Sequence, residues 1–288
     1  MVIVPCLFLE IIILSIKYIS KLIDQKDEVF IMELKYIGLI LVVGIVSGFV
    51  NTIGGGGSLL SLPALIFLGL PSAVANGTNR VSLMMQSIVG VVNFKQKGFY
   101  YPKLSLMFGL PAVIGSIIGA KLAISLPEEV FQKILAIVML VVLVLIIWRP
   151  EKKYLKNINI EKLSRVRLII AMIAFFFVGF YGGFIQAGVG FIIIAILVLV
   201  TGMSLVKINS LKMFITGIYI FSSLLVFIIS GKVNWILGFI LAIGSAIGAY
   251  LGSNFAVAKG DKWIRIFLII YVLLMSSKLM GLTDWLKF

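Results

Sequence analysis

Gly48–Arg80 reads GFVNTIGGGGSLLSLPALIFLGLPSAVANGTNR, and the fold of the chain is organised around it. Four consecutive glycines, Gly54 to Gly57, interrupt this strongly apolar sequence. Lipid cannot hydrogen-bond to exposed amide groups, so such a break is tolerated in a membrane only where it faces protein or a water-filled cavity. Ser58 is placed to N-cap a helix from Ser58 to Leu70, which at about 1.5 Å per residue is too short to cross the hydrocarbon core. We therefore predict a broken half-helix.

The N-terminus of such a half-helix suits an anion, because its N–H groups are unpaired and its dipole is positive there. Broken helices near the bilayer midplane form the substrate sites of many transporters. Close backbone packing explains a single glycine, but four in succession exceed what packing needs. The candidate substrate-binding residues at this break are Gly55, Gly56, Gly57 and Ser58.

A weaker copy of the stretch begins at Gly179 and reads GFYGGFIQAGVGFIIIAILVLVTGMSLVKINSLK. An offset of 133 residues aligns Gly55 with Gly188, Gly57 with Gly190, Gly69 with Gly202 and Asn76 with Asn209. The opening Gly-Phe pairs align only after a slip of two residues. Further along, GSIIGA from Gly115 matches GSAIGA from Gly244, and its small residues predict close helix packing. This ordered series predicts an internal duplication.

Composition places the chain in a membrane. Of its 288 residues 61% are hydrophobic, and the mean hydropathy is +1.20, which predicts an all-α polytopic protein in a lipid bilayer. The net charge of +14 does not indicate nucleic acid, because the basic residues fall between apolar runs and read as topology signals. Histidine is absent and Cys6 is the only cysteine, so we predict no metal site, no disulfide and no cofactor.

The distribution of acidic residues limits the function. None occurs from Leu34 to Pro127 or from Lys162 to Gly260. A cation carrier usually keeps an ionisable acid or histidine inside its helix bundle, and an enzyme needs a general base or a metal. The interior instead contains Arg80, Lys207 and Lys212 beside the repeated motif. We therefore predict that the protein is not an enzyme and that its permeant species is neutral or, more consistently with these cations, negative.

The chain divides into four parts: an N-terminal amphipathic extension (1–31), a first repeat (32–148), a basic linker (149–167) and a second repeat (168–288). The extension carries one polar helical stripe, which favours an interfacial helix. The linker has seven Lys or Arg residues against two acids, which is typical of a cytoplasmic segment.

The number of crossings depends on the half-helices. If they are re-entrant, about eight full transmembrane helices plus two short broken helices result, and the linker side holds 17 Lys or Arg residues against 8. If they cross completely, there are ten spans in 5+5 inverted repeats, with 15 basic residues against 10. The positive-inside rule favours eight by this margin and leaves ten as the alternative.

Polar residues after each half-helix complete the candidate site. Asn76 and Arg80 are four residues apart, and Asn209 and Lys212 are three apart, so each pair shares one helix face. Snorkelling of the two cations to an interface is the alternative. The remaining candidates of the substrate site are Thr78, Gln186, Gly188 and Gly190. Helix capping is the alternative for Thr78 and Asn79, and a helix-to-helix hydrogen bond is the alternative for Gln186 and Asn51. Gln86 and Asn93 are further polar residues for which contact with the cavity is the lesser alternative.

The GGGGSLLSLPALIFLGLPSAVANGTNR stretch, its second copy and the basic linker resemble the TauE/SafE family of membrane proteins, also called sulfite exporters. The resemblance covers residue 32 to the C-terminus, although Ile196 stands in the second copy where the first has Pro63. It implies a multi-pass bacterial inner-membrane carrier of sulfur-containing anions such as sulfite, sulfoacetate or related organosulfonates.

The leading hypothesis is a secondary transporter that exports a small anion by alternating access around the paired half-helices. The alternatives are a transporter of another small organic or inorganic anion and a non-transporting scaffold subunit. The expected partners are the anionic solute and lipid, without nucleic acid, and a homo-oligomer remains open.

Overall fold

The computed structural model describes residues 37–135, residue 137 and residues 165–279. The extension predicted for 1–31 and most of the linker predicted for 149–167 lie outside the described residues. The packing given below is that of the compact unit Leu41–Phe288.

The described chain is helical, and none of its residues forms a strand. In chain order its helices are α1 (Ile37–Ile53), α2 (Ser58–Phe67), α3 (Ser72–Gln96), α4 (Pro102–Ser125), α5 (from 128, described to 135), α6 (Arg165–Phe184), α7 (Val189–Thr201), α8 (Leu205–Ile229), α9 (Trp235–Gly260) and α10 (261–279). Gly260, at φ 71°, separates α9 from α10.

Among the described residues, four helices are long and apolar enough to cross a membrane: α4, α6, α8 and α9. Large apolar side chains point outward from them, such as Ile118 of α4, which is 47% exposed, and Ile247 of α9, which is 44% exposed. Outward apolar faces on long apolar helices suit lipid rather than water. The prediction of an all-α polytopic membrane protein is therefore confirmed.

The two short helices lie at the predicted places. Gly188 (φ 73°) precedes α7 and Gly202 (φ 60°) follows it, and a side chain would strain the backbone at both positions. Helix α2 ends at Phe67, three residues before the predicted end at Leu70. Its last residues form a turn instead, in which Gly69 has φ 89° and the Leu70 amide donates to the Leu65 carbonyl at 3.2 Å.

Helix positions recur at a constant spacing. Helix α8 begins 133 residues after α3, α9 begins 133 after α4, and α10 begins 133 after α5. Helices α1 and α6 end at Ile53 and Phe184, 131 residues apart. The Gly-Phe pairs align only after a slip of two residues because the ends of α1 and α6 are separated by 131 residues and the later helices by 133.

The first helix of each half packs on a helix of the other half. A Cβ atom on Gly115 of α4 would lie 2.0 Å from the Phe176 carbonyl oxygen of α6, and one on Gly248 of α9 would lie 2.1 Å from that of Ile45 in α1. Gly248 follows Gly115 by 133 residues, whereas the six-residue match pairs Gly115 with Gly244. That match is therefore one helical turn out of register, and its small residues pack against helix backbone.

Contacts along α9 fix the direction of α1. Gly44 lies against the Leu241 carbonyl and Gly48 against the Ser245 carbonyl, while Gly252 lies against that of Phe49. Residue numbers rise together on both helices. Helices α1 and α9 therefore run parallel.

The same reasoning applies to α3. The Asn234 amide donates to Thr78 Oγ1 at 2.9 Å at the beginning of α9, and Asn93 Nδ2 donates to Ser253 Oγ at 2.6 Å near its end. Helix α3 is thus parallel to α9 and to α1. A re-entrant α2 would return the chain to the side it came from and make α1 and α3 antiparallel.

Helix α8 runs the other way. Arg80 of α3 contacts Ser223, and Gly90 lies against Met213. Residue numbers on α3 rise while those on α8 fall. The directions of α1, α3, α8 and α9 are those expected of inverted repeats, and they differ from the directions that the re-entrant arrangement favoured by the charge count requires.

Candidate functional site

The two glycine breaks lie in direct contact. A Cβ atom on Gly55 would lie 2.2 Å from the Cα of Gly190, and one on Gly190 would lie 2.2 Å from the Cα of Gly55. The Ser58 hydroxyl donates to the backbone carbonyl of Gln186 at 3.0 Å. The breaks of the two halves therefore form one interface, and only glycine at both positions lets the backbones approach this closely.

Ser58 does not cap α2, contrary to the prediction. Gly57 occupies the N-cap position and no side chain caps the helix, because the Ser58 hydroxyl is engaged across the interface. A Cβ atom on Gly57 would lie 2.0 Å from the Ser47 carbonyl oxygen, so Gly57 lets α2 fold back on α1. Gly56 lies in the turn, where its carbonyl accepts from the Leu59 amide at 3.1 Å.

Arg80 is fully buried at the end of α6. Its guanidinium donates to the carbonyl oxygens of Gly182, at 3.1 Å, and Gly183, and to Ser223 Oγ at 2.7 Å. It also lies 4.7 Å from the centre of the Phe227 ring. Because α6 ends at Phe184, these carbonyls have no helical partner and carry the negative end of the helix dipole. Arg80 therefore caps a helix of the other half.

Lys212 occupies the matching place at the end of α1. Its ammonium donates to the carbonyl oxygens of Asn51, at 2.8 Å, and Thr52, at 2.9 Å. A third bond, of 2.9 Å, goes to Asn209 Oδ1. Helix α1 ends at Ile53, so Lys212 also caps the C-terminus of a first helix.

The carbonyls held by the two cations are equivalent. Gly182 and Gly183 follow Asn51 and Thr52 by 131 residues, the spacing between the ends of α6 and α1. The cation of α3 thus holds the first helix of the second half, and the cation of α8 holds the first helix of the first half. These two contacts, Arg80 on α6 and Lys212 on α1, are called the crossed caps below.

Asn76 and Asn209 assist the cations unequally. Asn76 Nδ2 donates to the Phe184 carbonyl at 2.7 Å, and its Oδ1 accepts from Arg80 at 3.3 Å. Asn209 Oδ1 accepts from Lys212, but its Nδ2 is buried without a partner. The predicted pairing of an amide with a cation is present in both halves, and each pair leaves one nitrogen without a partner, Arg80 Nε in the first and Asn209 Nδ2 in the second.

The predicted alternative of snorkelling cations is wrong. Arg80 is 0% exposed and Lys212 is 2% exposed, and their hydrogen-bond acceptors are all neutral. Lys207, by contrast, is exposed and takes no part in this site. A buried cation without a counter-ion costs several kcal/mol, on the order of a lost ion pair. The two buried positive charges therefore have no negative partner among their hydrogen-bond acceptors, and an anion would supply one.

Hydrogen bonds stabilise the second break. Gln186 has φ 69°, an uncommon value for a residue other than glycine. Its side chain pairs with the Tyr219 hydroxyl of α8 at 3.0 Å. The Tyr181 hydroxyl donates to the Ala187 carbonyl. Gln186 thus lies in the site as predicted, with its amide engaged by protein.

Two buried amides of α3, Asn79 and Gln86, lack the hydrogen bonds that a capping or helix-to-helix role predicts. Asn79 and Gln86 of α3 are each 1% exposed, and none of their side-chain nitrogen and oxygen atoms has a hydrogen-bond partner. Burying an unpaired amide costs about 2–7 kcal/mol, depending on the reference state. A signal existed in the sequence, because the offset of 133 aligns them with Lys212 and Tyr219.

Some candidate residues lie elsewhere. Thr78 accepts from the Asn234 amide at the start of α9, so its hydroxyl is engaged by that helix rather than by either break. Asn93 donates to Ser253 of the same helix and joins two helices. Asn51 contributes its backbone carbonyl to the Lys212 cap.

Comparison with known proteins identifies the chain. The sequence model described as "Sulfite exporter TauE/SafE" matches residues 40–279. The chain belongs to the TauE/SafE sulfite exporter family. Similar family members include a probable membrane transporter protein of Haemophilus influenzae, 28% identical over 88% of this chain and 97% of the relative. The probable membrane transporter protein YfcA of Escherichia coli K12 is 30% identical over 89% and 94%. No solved structure matches the chain.

TauE/SafE membership confirms the resemblance read from the glycine-rich stretch. It also confirms a multi-pass cell-membrane protein, because the relatives are named membrane transporters and the described helices include four that can span a bilayer. The names of the relatives indicate membrane transport.

Proposed function

We propose that this TauE/SafE protein is a secondary transporter that exports a small sulfur-containing anion, such as sulfite, sulfoacetate or a related organosulfonate, by alternating access. The observation that carries the proposal is the pair of crossed caps. Arg80 and Lys212 are buried, bonded only to neutral acceptors and adjacent to the breaks of the two halves. Burial of two cations without a carboxylate partner favours a negative solute.

An anion would compete with the carbonyls of the crossed caps. Lys212 already donates three hydrogen bonds, so a solute gains its ammonium only by displacing an oxygen. A fully charged oxygen forms a stronger charge-assisted bond than a neutral carbonyl. Displacement would release the end of α1 from α8, and the same exchange at Arg80 would release α6 from α3. Substrate binding is thereby coupled to movement of helices between the halves.

The parallel direction of α1 and α3 supports an arrangement of the two halves as inverted repeats. In this arrangement the two breaks enter the interface from opposite sides and meet at Gly55 and Gly190. Exchanging the roles of two inverted repeats converts an inward-open state into an outward-open one. The crossed caps are the contacts that would alternate.

Export is the direction that the membrane potential supports. In a cell that is negative inside, the membrane potential favours the exit of an anion by about 2.3 kcal/mol per charge per 100 mV. An anion carrier therefore needs no coupled cation for export.

A flux measurement tests the proposal. The full-length protein is reconstituted in vesicles loaded with radiolabelled sulfite or sulfoacetate, and a potassium gradient with valinomycin sets the potential. We expect efflux to accelerate when the lumen is negative. We also expect unlabelled substrate outside the vesicles to exchange with the labelled substrate inside. Vesicles without protein are the control. Absence of flux at both polarities contradicts transport, and faster flux of acetate than of sulfite contradicts the substrate class.

A further inference from the structure

Gln86 lies at a depth between the two cations. Helices α3 and α8 are antiparallel, with Arg80 on Ser223 at one level and Gly90 against Met213 at another. Gln86 is six residues from Arg80, or about 9 Å along the axis. Ser87, the next residue on α3, lies against Gly217 of α8, between these two levels. Lys212 adjoins Met213, so Gln86 is placed between the levels of Arg80 and Lys212.

The counterpart of Gln86 in the second half faces a glycine break. Residue 86 plus the offset of 133 gives Tyr219, and α3 and α8 begin at positions that differ by the same offset. Tyr219 bonds the Gln186 side chain of the second break. The positions of the first break equivalent to Gln186 are Ile53 at an offset of 133 and Gly55 at 131, and neither has a polar side chain. Gln86 therefore has no protein partner where Tyr219 has one.

We infer that Gln86 is a substrate-binding residue, and that its amide nitrogen donates to an oxygen of the anion at the level between Arg80 and Lys212. The inference rests on the proposed anion transport. A buried amide with no partner on either its nitrogen or its oxygen is unfavourable unless another molecule meets it. The amide nitrogen supplies two donors and no charge, so it fixes the orientation of an oxyanion that the cations attract.

Gln86→Leu tests the inference, because leucine keeps most of the volume and removes both polar atoms. The KM for sulfite or sulfoacetate efflux and the thermal midpoint are measured on the full-length protein. We expect KM to rise about tenfold, the loss of one hydrogen bond to a charged group. We expect the midpoint to stay unchanged or rise, because an unpaired polar group has been replaced by an apolar one.

Asn93→Leu is the matched control on the same helix. Asn93 is buried and donates to Ser253, so its loss leaves a packed contact broken. We expect a lower midpoint with unchanged KM, the opposite of the result for Gln86→Leu. Gln86→Met, with an unbranched apolar side chain, repeats the test with a different shape.

The outcomes separate the two proposals. Efflux by the wild type with unchanged KM in both Gln86 variants overturns the role of Gln86 and leaves anion transport standing. A lower midpoint with unchanged KM assigns Gln86 to structural water and also overturns it. Lack of efflux by the wild type overturns the proposed transport itself, and the inference falls with it.

Discussion

The two glycine breaks share a backbone arrangement and differ in how their polar groups are satisfied. At the second break Gln186 pairs with Tyr219, and Asn76 bonds the Phe184 carbonyl at the end of α6. At the first break the equivalent groups, Gln86 and Asn209 Nδ2, have no partner. The difference indicates that the side-chain amides of the second break are engaged by protein, whereas those of the first are available to a solute.

The largest expected effect comes from the contact that both breaks share. Gly55→Ala would place a Cβ atom 2.2 Å from the Gly190 backbone at φ 92°. Since backbone cannot yield as a flexible side chain does, we expect a loss of about 3 kcal/mol or more in unfolding free energy. Gly69→Ala is the control, because Gly69 has a similar φ of 89° with no atom nearby, and only the strain of about 1 kcal/mol applies. Equal thermal midpoints for the two variants would contradict contact between the breaks.

The crossed caps give the next largest effect. Arg80→Met and Lys212→Met each remove a charge-assisted set of hydrogen bonds worth about 2–3 kcal/mol, so we expect anion efflux to fall about 100-fold. Two charge-retaining exchanges, Arg80→Lys and Lys212→Arg, sharpen the comparison. Arg80 donates to acceptors in several directions, so we expect lysine at this position to restore little of the anion efflux. Unchanged efflux in both methionine variants would show that the cations only cap helices.

The repeat length and the breaks were readable from the sequence because glycine is required where backbones touch or φ is positive. Gly55, Gly188 and Gly190 are each needed for one of these reasons. The offset of 133 also placed Asn76 and Asn209 correctly beside their cations. Sequence similarity alone did not give the correct register of the packed helices, since GSIIGA and GSAIGA match best one helical turn away from the structurally equivalent residues.

The two buried cations do not explain why the charge count favoured re-entrant half-helices. Without Arg80 and Lys212 the counts become 17 against 6 for re-entrant half-helices and 14 against 9 for crossing ones, so the preference does not change. Only the contacts between helices show that α1 and α3 run parallel. Ser58 was mispredicted because a serine before an apolar run looks the same whether its hydroxyl caps its own helix or bonds another segment. Gln86 was underestimated because only the structure shows that its amide has no partner.

A third prediction makes the second break resemble the first. Tyr219→Phe removes the hydroxyl that pairs with Gln186 and leaves that amide buried and unpaired, as Gln86 is now. We expect unfolding free energy to fall by about 1–3 kcal/mol. The KM for the anion should change little, because this contact is internal to the protein. A KM increase equal to that of Gln86→Leu would mean that both breaks bind solute and would remove the asymmetry argued above.

The smallest expected effect separates α3 residues that face the breaks from one that does not. Thr78→Val replaces the hydroxyl that accepts from the Asn234 amide by a methyl group of similar size. We expect a stability loss of about 1 kcal/mol, the value of one hydrogen bond, with efflux and KM unchanged. Thermal unfolding and the vesicle assay measure the two quantities separately. A KM increase without loss of stability would place Thr78 in the solute path, and the assignment of only one face of α3 to the substrate would then be wrong.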